Sequence, residues 1–150
     1  MKINLAALLA LGALFGEPKV LDMRFSVQDV DGHAVLQIAL ANHMPQLVKV
    51  PRAIATEQEM FGKLFEVRDA ETGQLLQYQG IMVKRGPLTE EDYLAMAPGA
   101  RRSNTIDLSR AYAFRQGRHA YSISYAGHYL VEGKEMPLIE GPVSFVHTGR

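Results

Sequence analysis

The sequence contains no cysteine and no tryptophan, and its 16 Lys and Arg residues are balanced by 16 Asp and Glu residues. The absence of cysteine excludes disulfide bonds, thiolate metal ligands and a cysteine nucleophile. Zero net charge leaves no surplus of basic side chains for the phosphates of nucleic acid, so we expect no nucleic-acid partner. The fold must therefore be stabilised by packing, without covalent crosslinks.

Long apolar runs are also missing, since the longest one covers only residues 5 to 15. A bilayer-spanning helix needs about 20 apolar residues, so we expect no stable membrane insertion. The run suits the core of a secretory signal peptide, although it follows a single Lys2 and precedes no clean small-x-small cleavage site. We predict a signal peptide over residues 1 to 16 and an exported chain, periplasmic or secreted. The alternative is that the run forms a short buried helix or strand.

The rest of the chain has the composition of one folded domain, which we place at residues 17 to 150. Hydrophobic residues make up 47% of the sequence and charged residues 21%, enough to form a core. From Lys19 onward, apolar and polar residues alternate with a period of two over short segments separated by turns such as Asp31-Gly32. We predict an all-β fold, an antiparallel immunoglobulin-like β-sandwich of about seven or eight strands.

Three regions between the strands have their own predictions. Glu71-Thr72-Gly73 indicates a hairpin whose return strand covers residues 75 to 79. One short helical turn is expected in the loop over residues 86 to 99, where Thr89 and Asp92 form a capping box. Residues 126 to 141 are predicted to be a glycine-containing excursion before the last strand.

Tyr121 lies at the start of a predicted strand, shortly after a corner. Immunoglobulin-type sandwiches often have a tyrosine there, with its ring in the core and its hydroxyl bonded to the preceding backbone. Tyr121 is therefore our tyrosine-corner candidate. The alternative is an ordinary core aromatic residue, and neither role is catalytic.

The motifs of common catalytic sites are missing from the sequence. It has neither His-Glu-x-x-His nor Gly-x-Ser-x-Gly, and no glycine-rich phosphate loop. We therefore predict that the chain is not an enzyme and has no cofactor, no catalytic residue and no metal ligand. One alternative stays open, in which separate histidines converge on zinc or copper; these are His33, His43, His119 and His128.

The segments Leu64-Phe65-Glu66-Val67 and Tyr78-Gln79-Gly80, followed by residues 84 to 93, carry a family resemblance. They resemble the N-terminal, propeptide-like β-sandwich region of bacterial deuterolysin-type zinc metalloendopeptidases, the aspzincins that include peptidyl-Lys endopeptidases. The similarity covers roughly residues 20 to 126. Family proteases continue into a catalytic domain with His-Glu-x-x-His. Because that motif is missing here, no catalytic or metal-binding residue is carried over.

The resemblance implies a non-catalytic domain that inhibits a secreted zinc endopeptidase or assists its folding. A loop with a few anchoring side chains would fill the protease cleft, and our candidates for partner binding are Lys84, Arg85, Tyr93, Leu94 and Met96. For each of them the alternative is local, with the apolar residues attaching the loop to its own domain and the basic residues solvated. The alternative function is a general exported binding or assembly module with no protease partner.

Overall fold

The computed structural model describes residues 20 to 150, so the predicted signal peptide at residues 1 to 16 lies outside the described part of the chain. Within that part, eight strands form one three-stranded and one five-stranded antiparallel sheet. This confirms the prediction of an all-β antiparallel sandwich. The elements are β1 (Leu21–Val30), β2 (His33–Asn42), β3 (Val48–Pro51), the helical turn α1 (Arg52–Ala55), β4 (Glu66–Asp69), a 3-10 turn (Glu90–Asp92), β5 (Tyr93–Met96), β6 (Arg101–Asp107), β7 (Gly117–Val131) and β8 (Lys134–Gly149).

The first hairpin shows how the alternating pattern produces a sheet with one buried face. Leu21, Met23 and Phe25 of β1 are buried, and the residues between them are at least partly exposed. Asp31 and Gly32 connect β1 to β2 with φ angles of 51° and 82°, the left-handed conformation that suits a two-residue hairpin turn. β6 pairs with the other side of β2 and completes the three-stranded sheet.

The expectation of an excursion over residues 126 to 141 is wrong. That region contains the second half of β7, a two-residue turn at Glu132-Gly133 and the first half of β8. The turn residues have φ angles of 51° and 76°, so this is again a tight hairpin. The alternating pattern is hidden because Gly127 and Pro137 interrupt it, and the ladder accommodates one irregularity through a β-bulge.

The predicted return strand over residues 75 to 79 is also wrong. One isolated bridge joins Leu75 to β4, and a second joins Tyr78 to Tyr112. The Gln79 backbone N–H donates to the carbonyl of Ala111 at 2.8 Å. The chain therefore leaves β4 after a single bridge, because its later backbone groups bond to the corner that precedes β7.

Strands β1 and β8 lie side by side where the two sheets meet, and side chains of each strand bond to the other. The Asp29 carboxylate accepts the backbone N–H of Thr148 at 3.0 Å and lies 2.5 Å from Nδ1 of His147. The Glu140 carboxylate accepts the backbone N–H of Phe25 at 3.2 Å. These contacts give polar partners to edge-strand groups and close the sandwich on this side.

On the opposite side, α1 lies against β6. The Asn104 side-chain amide donates to the carbonyls of Ile54 and Glu57, at 3.0 and 2.7 Å. Nε of Arg102 donates to the carbonyl of Ala55 at 3.0 Å. The last carbonyls of a helix have no partner within the helix, so these side chains satisfy them and attach α1 to the three-stranded sheet.

Side chains from both sheets meet in one core. The Phe25 and Phe65 rings pack edge to face with centroids 5.6 Å apart, and Tyr125 continues this aromatic row. Burial raises the pKa of Tyr125 to about 12. The largest fully buried side chains are Tyr112, Tyr121, Phe65, Leu36, Ile38, Ile54, Ile106, Leu108, Ile123, Val48, Val50 and Val67.

Two fully buried tyrosines bond backbone groups, Tyr121 at the corner before β7 and Tyr112 at the residue before β4. The Tyr121 hydroxyl accepts the backbone N–H of Arg115 at 3.1 Å, which is the type of contact that defines a tyrosine corner. The Tyr112 hydroxyl donates to the carbonyl of Phe65 at 2.6 Å and accepts its N–H at 3.2 Å. Burial raises the pKa of both hydroxyls, so they remain protonated over the physiological range.

Asp69 connects the end of β4 to the same corner. Its buried carboxylate accepts the backbone N–H of Glu71 at 2.8 Å and of Thr72 at 3.2 Å, and its other oxygen lies 3.0 Å from the Arg115 guanidinium. Desolvation opposes ionisation, but these hydrogen bonds and the nearby cation outweigh it and hold the pKa of Asp69 below its ordinary value of 3.8. Asp69 therefore stabilises the hairpin turn as a carboxylate.

Removal of the buried tyrosine hydroxyls should destabilise the domain more, the more backbone hydrogen bonds the hydroxyl makes. Tyr112→Phe leaves both backbone groups of Phe65 without this partner and should lower the free energy of unfolding by about 1–3 kcal/mol. Tyr121→Phe removes one bond and should cost about 1 kcal/mol. Tyr129→Phe is the matched control, because its hydroxyl contacts only the Met44 sulfur at 3.6 Å. Urea unfolding measures all three, and equal effects would contradict this assignment.

The Asp69→Asn variant should change how stability depends on pH. Since the folded pKa is lowered, the unfolded chain takes up the proton first as the pH falls, and the carboxylate stabilises the fold fully above its ordinary pKa. We expect the variant to be less stable than wild type at pH 7, and the difference to shrink below about pH 4. Melting temperatures between pH 3 and 7 measure this. The control is Glu71→Gln, an exposed partner of the same guanidinium; a pH-independent difference for Asp69→Asn would contradict the prediction.

Candidate functional site

The longest continuous exposed stretch of the described chain covers residues 81 to 91. We call residues 81 to 88 the arm; they contain no helix and no strand. The arm belongs to the connection between β4 and β5. These strands lie on the same side of β7. β4 pairs with the first half of β7, whereas β3 pairs near the end of β7 and β5 pairs with the far side of β3. The connection must therefore run along the sheet edge, and the arm is its longest exposed part.

Both ends of the arm are attached to the domain. At the first end, the Tyr78 hydroxyl donates to the carbonyl of Ile81, and the Val83 N–H donates to the carbonyl of Phe61 at 2.8 Å. At the other end, the Asp92 carboxylate accepts the Thr89 N–H at 2.7 Å, as the predicted capping box requires. The middle of the arm is held less firmly than its ends.

The acidic turn after the arm is bonded to the five-stranded sheet and to α1. Nζ of Lys49 lies 3.1 Å from the Glu90 carboxylate, and Nε of Arg52 donates to the carbonyl of Glu91 at 3.1 Å. Both contacts are exposed, so each one contributes little to stability by itself. Together they define the direction in which the chain leaves the arm and enters β5.

The arm combines apolar and basic side chains in the open. Met82 is 69% exposed, and the neighbouring Ile81 and Val83 are nearly half exposed. Lys84 and Arg85 follow directly and are also exposed. The Arg85 guanidinium lies 3.6 Å from the Asp92 carboxylate, a surface contact that competes poorly with a buried partner. Adjacent exposed apolar side chains that form one patch are a common feature of surfaces that bind another molecule.

The other three predicted partner-binding residues lie in β5. Tyr93 and Met96 are buried in the domain, and Leu94 is half buried and packs against the core. Their surroundings favour the alternative interpretation, in which these residues attach the loop to its own sandwich. Lys84 and Arg85 are the two candidates that the structure leaves accessible to a partner.

Tyr93 also holds one of the histidines. Its hydroxyl lies 2.6 Å from Nε2 of His128, and the Glu135 carboxylate is 3.9 Å from the same nitrogen. Burial, with a smaller contribution from the charge of Glu135, raises the pKa of the Tyr93 hydroxyl. The pair therefore connects β5 to the β7–β8 hairpin through a neutral hydroxyl.

A cleft of about 740 Å³ lies at the first end of the arm. Met60 and Ala111 are its buried apolar lining, and Ile81 of the arm forms part of its wall. Its polar lining residues are His33, Gln58, Glu59, Gln79, Asp107 and Arg110. The cleft carries groups of both charges and continues onto the arm, so a bound peptide could contact both surfaces.

The polar group in this cleft is built around Asp107. Its carboxylate lies 3.0 Å from Nδ1 of His33 and accepts the backbone N–H of Ser109 at 2.9 Å. Desolvation is outweighed by these bonds, which hold the pKa of Asp107 below its ordinary value. The carboxylate stands between the serine and the histidine, whereas a catalytic triad requires the histidine between the other two. This group is suited to binding and to holding the β2–β6 end together.

The histidines proposed as an alternative metal site have separate partners. His33 pairs with Asp107, His128 with Tyr93, and His119 lies 2.8 Å from the carbonyl of Gln116. His43 is exposed. Within residues 20 to 150, no three His, Asp or Glu side chains are arranged to hold a metal ion.

Sequence reasoning singled out Lys84 and Arg85 but missed the apolar residues before them and the cleft. One signal was available in the sequence. Gly80 and Gly86-Pro87, residues typical of turns and loops, flank the apolar residues 81 to 83, and no second apolar run is present to pair with them. No sequence signal indicated the cleft, since it depends on a contact between residues 33 and 107.

A comparison with models of known protein families finds no match for this chain. A comparison with curated proteins finds no match either. The resemblance to deuterolysin-type propeptides therefore stays a prediction. Among residues 20 to 150 the helices are short turns, and none has the length and apolar character needed to traverse a bilayer.

Proposed function

We propose that this chain is an exported, non-catalytic domain that binds a zinc endopeptidase of the deuterolysin type, as an inhibitor or folding partner, by placing the arm in the substrate cleft. The observation that carries the proposal is the arm itself. It exposes three adjacent apolar side chains and two basic ones on a connection whose ends are both attached to the sandwich. The sequence resemblance supplies the class of partner.

The backbone of the arm suits such binding. Protease clefts bind a segment in extended form, largely through main-chain hydrogen bonds of the type that add a strand to a sheet. In the described chain, the arm makes two hydrogen bonds to the domain through its backbone, at Ile81 and Val83. Its other backbone groups are free for a partner, except that Pro87 has no N–H to donate.

Attachment of both ends also lowers the cost of binding. A free peptide loses the conformational freedom of every residue that a cleft orders, whereas a segment with anchored ends has lost part of it already. The Thr89–Asp92 capping box and the Tyr78 hydroxyl are these anchors. An exposed, anchored segment can therefore bind with useful affinity although few of its residues contact the partner.

The apolar and the basic side chains of the arm contribute to binding in different ways. Met82 is unbranched and adaptable, so it can fill an apolar subsite of imprecise shape. Lys84 and Arg85 place two positive charges beside it, which favours a cleft with acidic lining and speeds encounter at low salt. Substitution of Met82 should therefore affect mainly dissociation, and substitution of the basic pair mainly association.

Inhibition assays test the proposal directly. Purified protein in micromolar excess should slow peptide hydrolysis by a deuterolysin-type endopeptidase. Met82→Asp, and separately the double variant Lys84→Glu/Arg85→Glu, should weaken inhibition by about tenfold or more, the effect of losing one interface hot spot. The matched control is Arg118→Glu/Lys134→Glu, which makes the same change of charge at two exposed residues of the β7–β8 hairpin.

Two results would contradict the proposal. One is an unchanged hydrolysis rate with the wild-type domain across the proteases of this class. The other is equal weakening by the arm variants and by the hairpin control, because general electrostatic attraction would then explain the binding. Circular dichroism of each variant verifies that the sandwich remains folded.

A general assembly module without a protease partner is the second candidate function. The observation that favours it is Ile139, a 68% exposed residue of β8 at the rim of a smaller cleft of about 380 Å³. Crosslinking followed by purification from an exported protein fraction separates the two functions. Recovery of a protease through the arm supports the first, and recovery of a pilus or surface component through β8 supports the second.

A further inference from the structure

We propose that the arm is also a processing site, at which an endoprotease specific for basic residues cleaves the chain after Lys84 or Arg85, and that the two pieces remain one folded domain. The step is hydrolysis. Water adds across the peptide bond, leaving a carboxylate on Lys84 or Arg85 and a new amine on the residue that follows. This inference does not depend on the proposed zinc endopeptidase partner.

Accessibility is the first argument. A protease must bind several residues on each side of the bond that it cuts. Cleavage of folded proteins therefore concentrates where the chain is exposed and its backbone is not hydrogen-bonded into a sheet. Lys84 and Arg85 have three exposed residues before them and six after them. The small Gly86 follows Arg85, and Pro87 is one position too far to block the Arg85–Gly86 bond.

The other basic residues of the described chain are less suitable. Most of them lie in β-strands, where the backbone is paired; these are Arg24, Lys49, Arg68, Arg101, Arg102, Arg118 and Lys134. Arg52 belongs to α1. Arg110 precedes the buried Ala111, and the N–H of Arg115 is bonded to the Tyr121 hydroxyl.

Lys63 is the closest competitor, because it is exposed and lies in a connection without regular structure. However, Leu64 after it packs against the core, and Phe65 is buried between Phe25 and Tyr125. A protease that bound the residues after Lys63 would have to remove Phe65 from the core. Lys63 therefore provides a matched comparison for the arm.

The topology explains why the two pieces would stay together. Strands β1 to β4 precede the cut and β5 to β8 follow it, yet both sheets contain strands from each piece. β2 pairs with β6 in the first sheet, and β4 and β3 pair with β7 in the second. The Tyr112 hydroxyl of the second piece also bonds both backbone groups of Phe65 in the first. Cleavage therefore divides the chain without dividing the core.

Cleavage would change the arm while leaving the scaffold intact. The arm would become two free ends, each held at one side only, and a carboxylate would appear beside the basic pair. Such a change raises the conformational freedom that a partner must restrict on binding. Cutting would therefore weaken any interaction that uses the intact arm.

Limited digestion of the full chain with trypsin tests this inference. We expect the first internal cut within residues 20 to 150 to give a new N-terminus at Arg85 or Gly86, identified by mass spectrometry. The two fragments should elute together at the size of the intact domain in size-exclusion chromatography and separate only in denaturant.

Variants make the assignment specific. Lys84→Gln/Arg85→Gln should lower the initial cleavage rate within residues 20 to 150 by roughly an order of magnitude, because most of the remaining basic residues there lie in paired backbone and the exposed Lys63 is followed by residues that pack in the core. Lys63→Gln should leave the rate unchanged. A first cut elsewhere within residues 20 to 150, or fragments that separate in native buffer, would overturn the proposal.

Discussion

Strand β7 constrains the rest of the molecule because three other strands pair with it along its 15 residues. β8 pairs along its whole length on one side, while on the other side β4 pairs with residues 121 to 124 and β3 with Leu130 and Val131. The aromatic residues of its inward face, Tyr121 and Tyr125, lie in the core against both sheets. Closure follows from this arrangement, since β8 places Glu140 next to the backbone of Phe25 and His147 next to Asp29, both in β1.

The arm is a consequence of how β7 is shared. A chain that leaves β4 at one part of β7 and returns as β5 beyond β3 must cross along the sheet edge, and no strand beside it accepts its backbone there. In this crossing, apolar and basic residues lie between two points of attachment, the Tyr78 hydroxyl and the Thr89–Asp92 capping box. Binding and processing are both proposed for the same segment because exposure and anchored ends serve both.

Much of the fold could be predicted from local pattern, and little of the candidate site could. Period-two alternation indicated an antiparallel sandwich of short strands, and the Thr89–Asp92 spacing indicated the helical turn, because these signals act within a few residues. The β7–β8 hairpin was missed where glycine and proline interrupt the alternation. The burial of Tyr93 and Met96 depends on pairing of β5 with β3, and the His33–Asp107 contact on pairing of β2 with β6. Such pairings between distant segments leave no local signal, so only the accessible Lys84 and Arg85 followed from the sequence.

Hydrogen exchange measured by mass spectrometry tests whether the arm is the exposed, partner-binding segment of the sandwich. In the free protein, the amides of Lys84, Arg85, Gly86 and Leu88 should exchange fastest among residues 20 to 150, and those of β7 slowest. Addition of the endopeptidase partner should protect the arm and leave the outer face of the β7–β8 hairpin unchanged. Slow exchange in the free arm, or protection confined to another surface, would contradict the account.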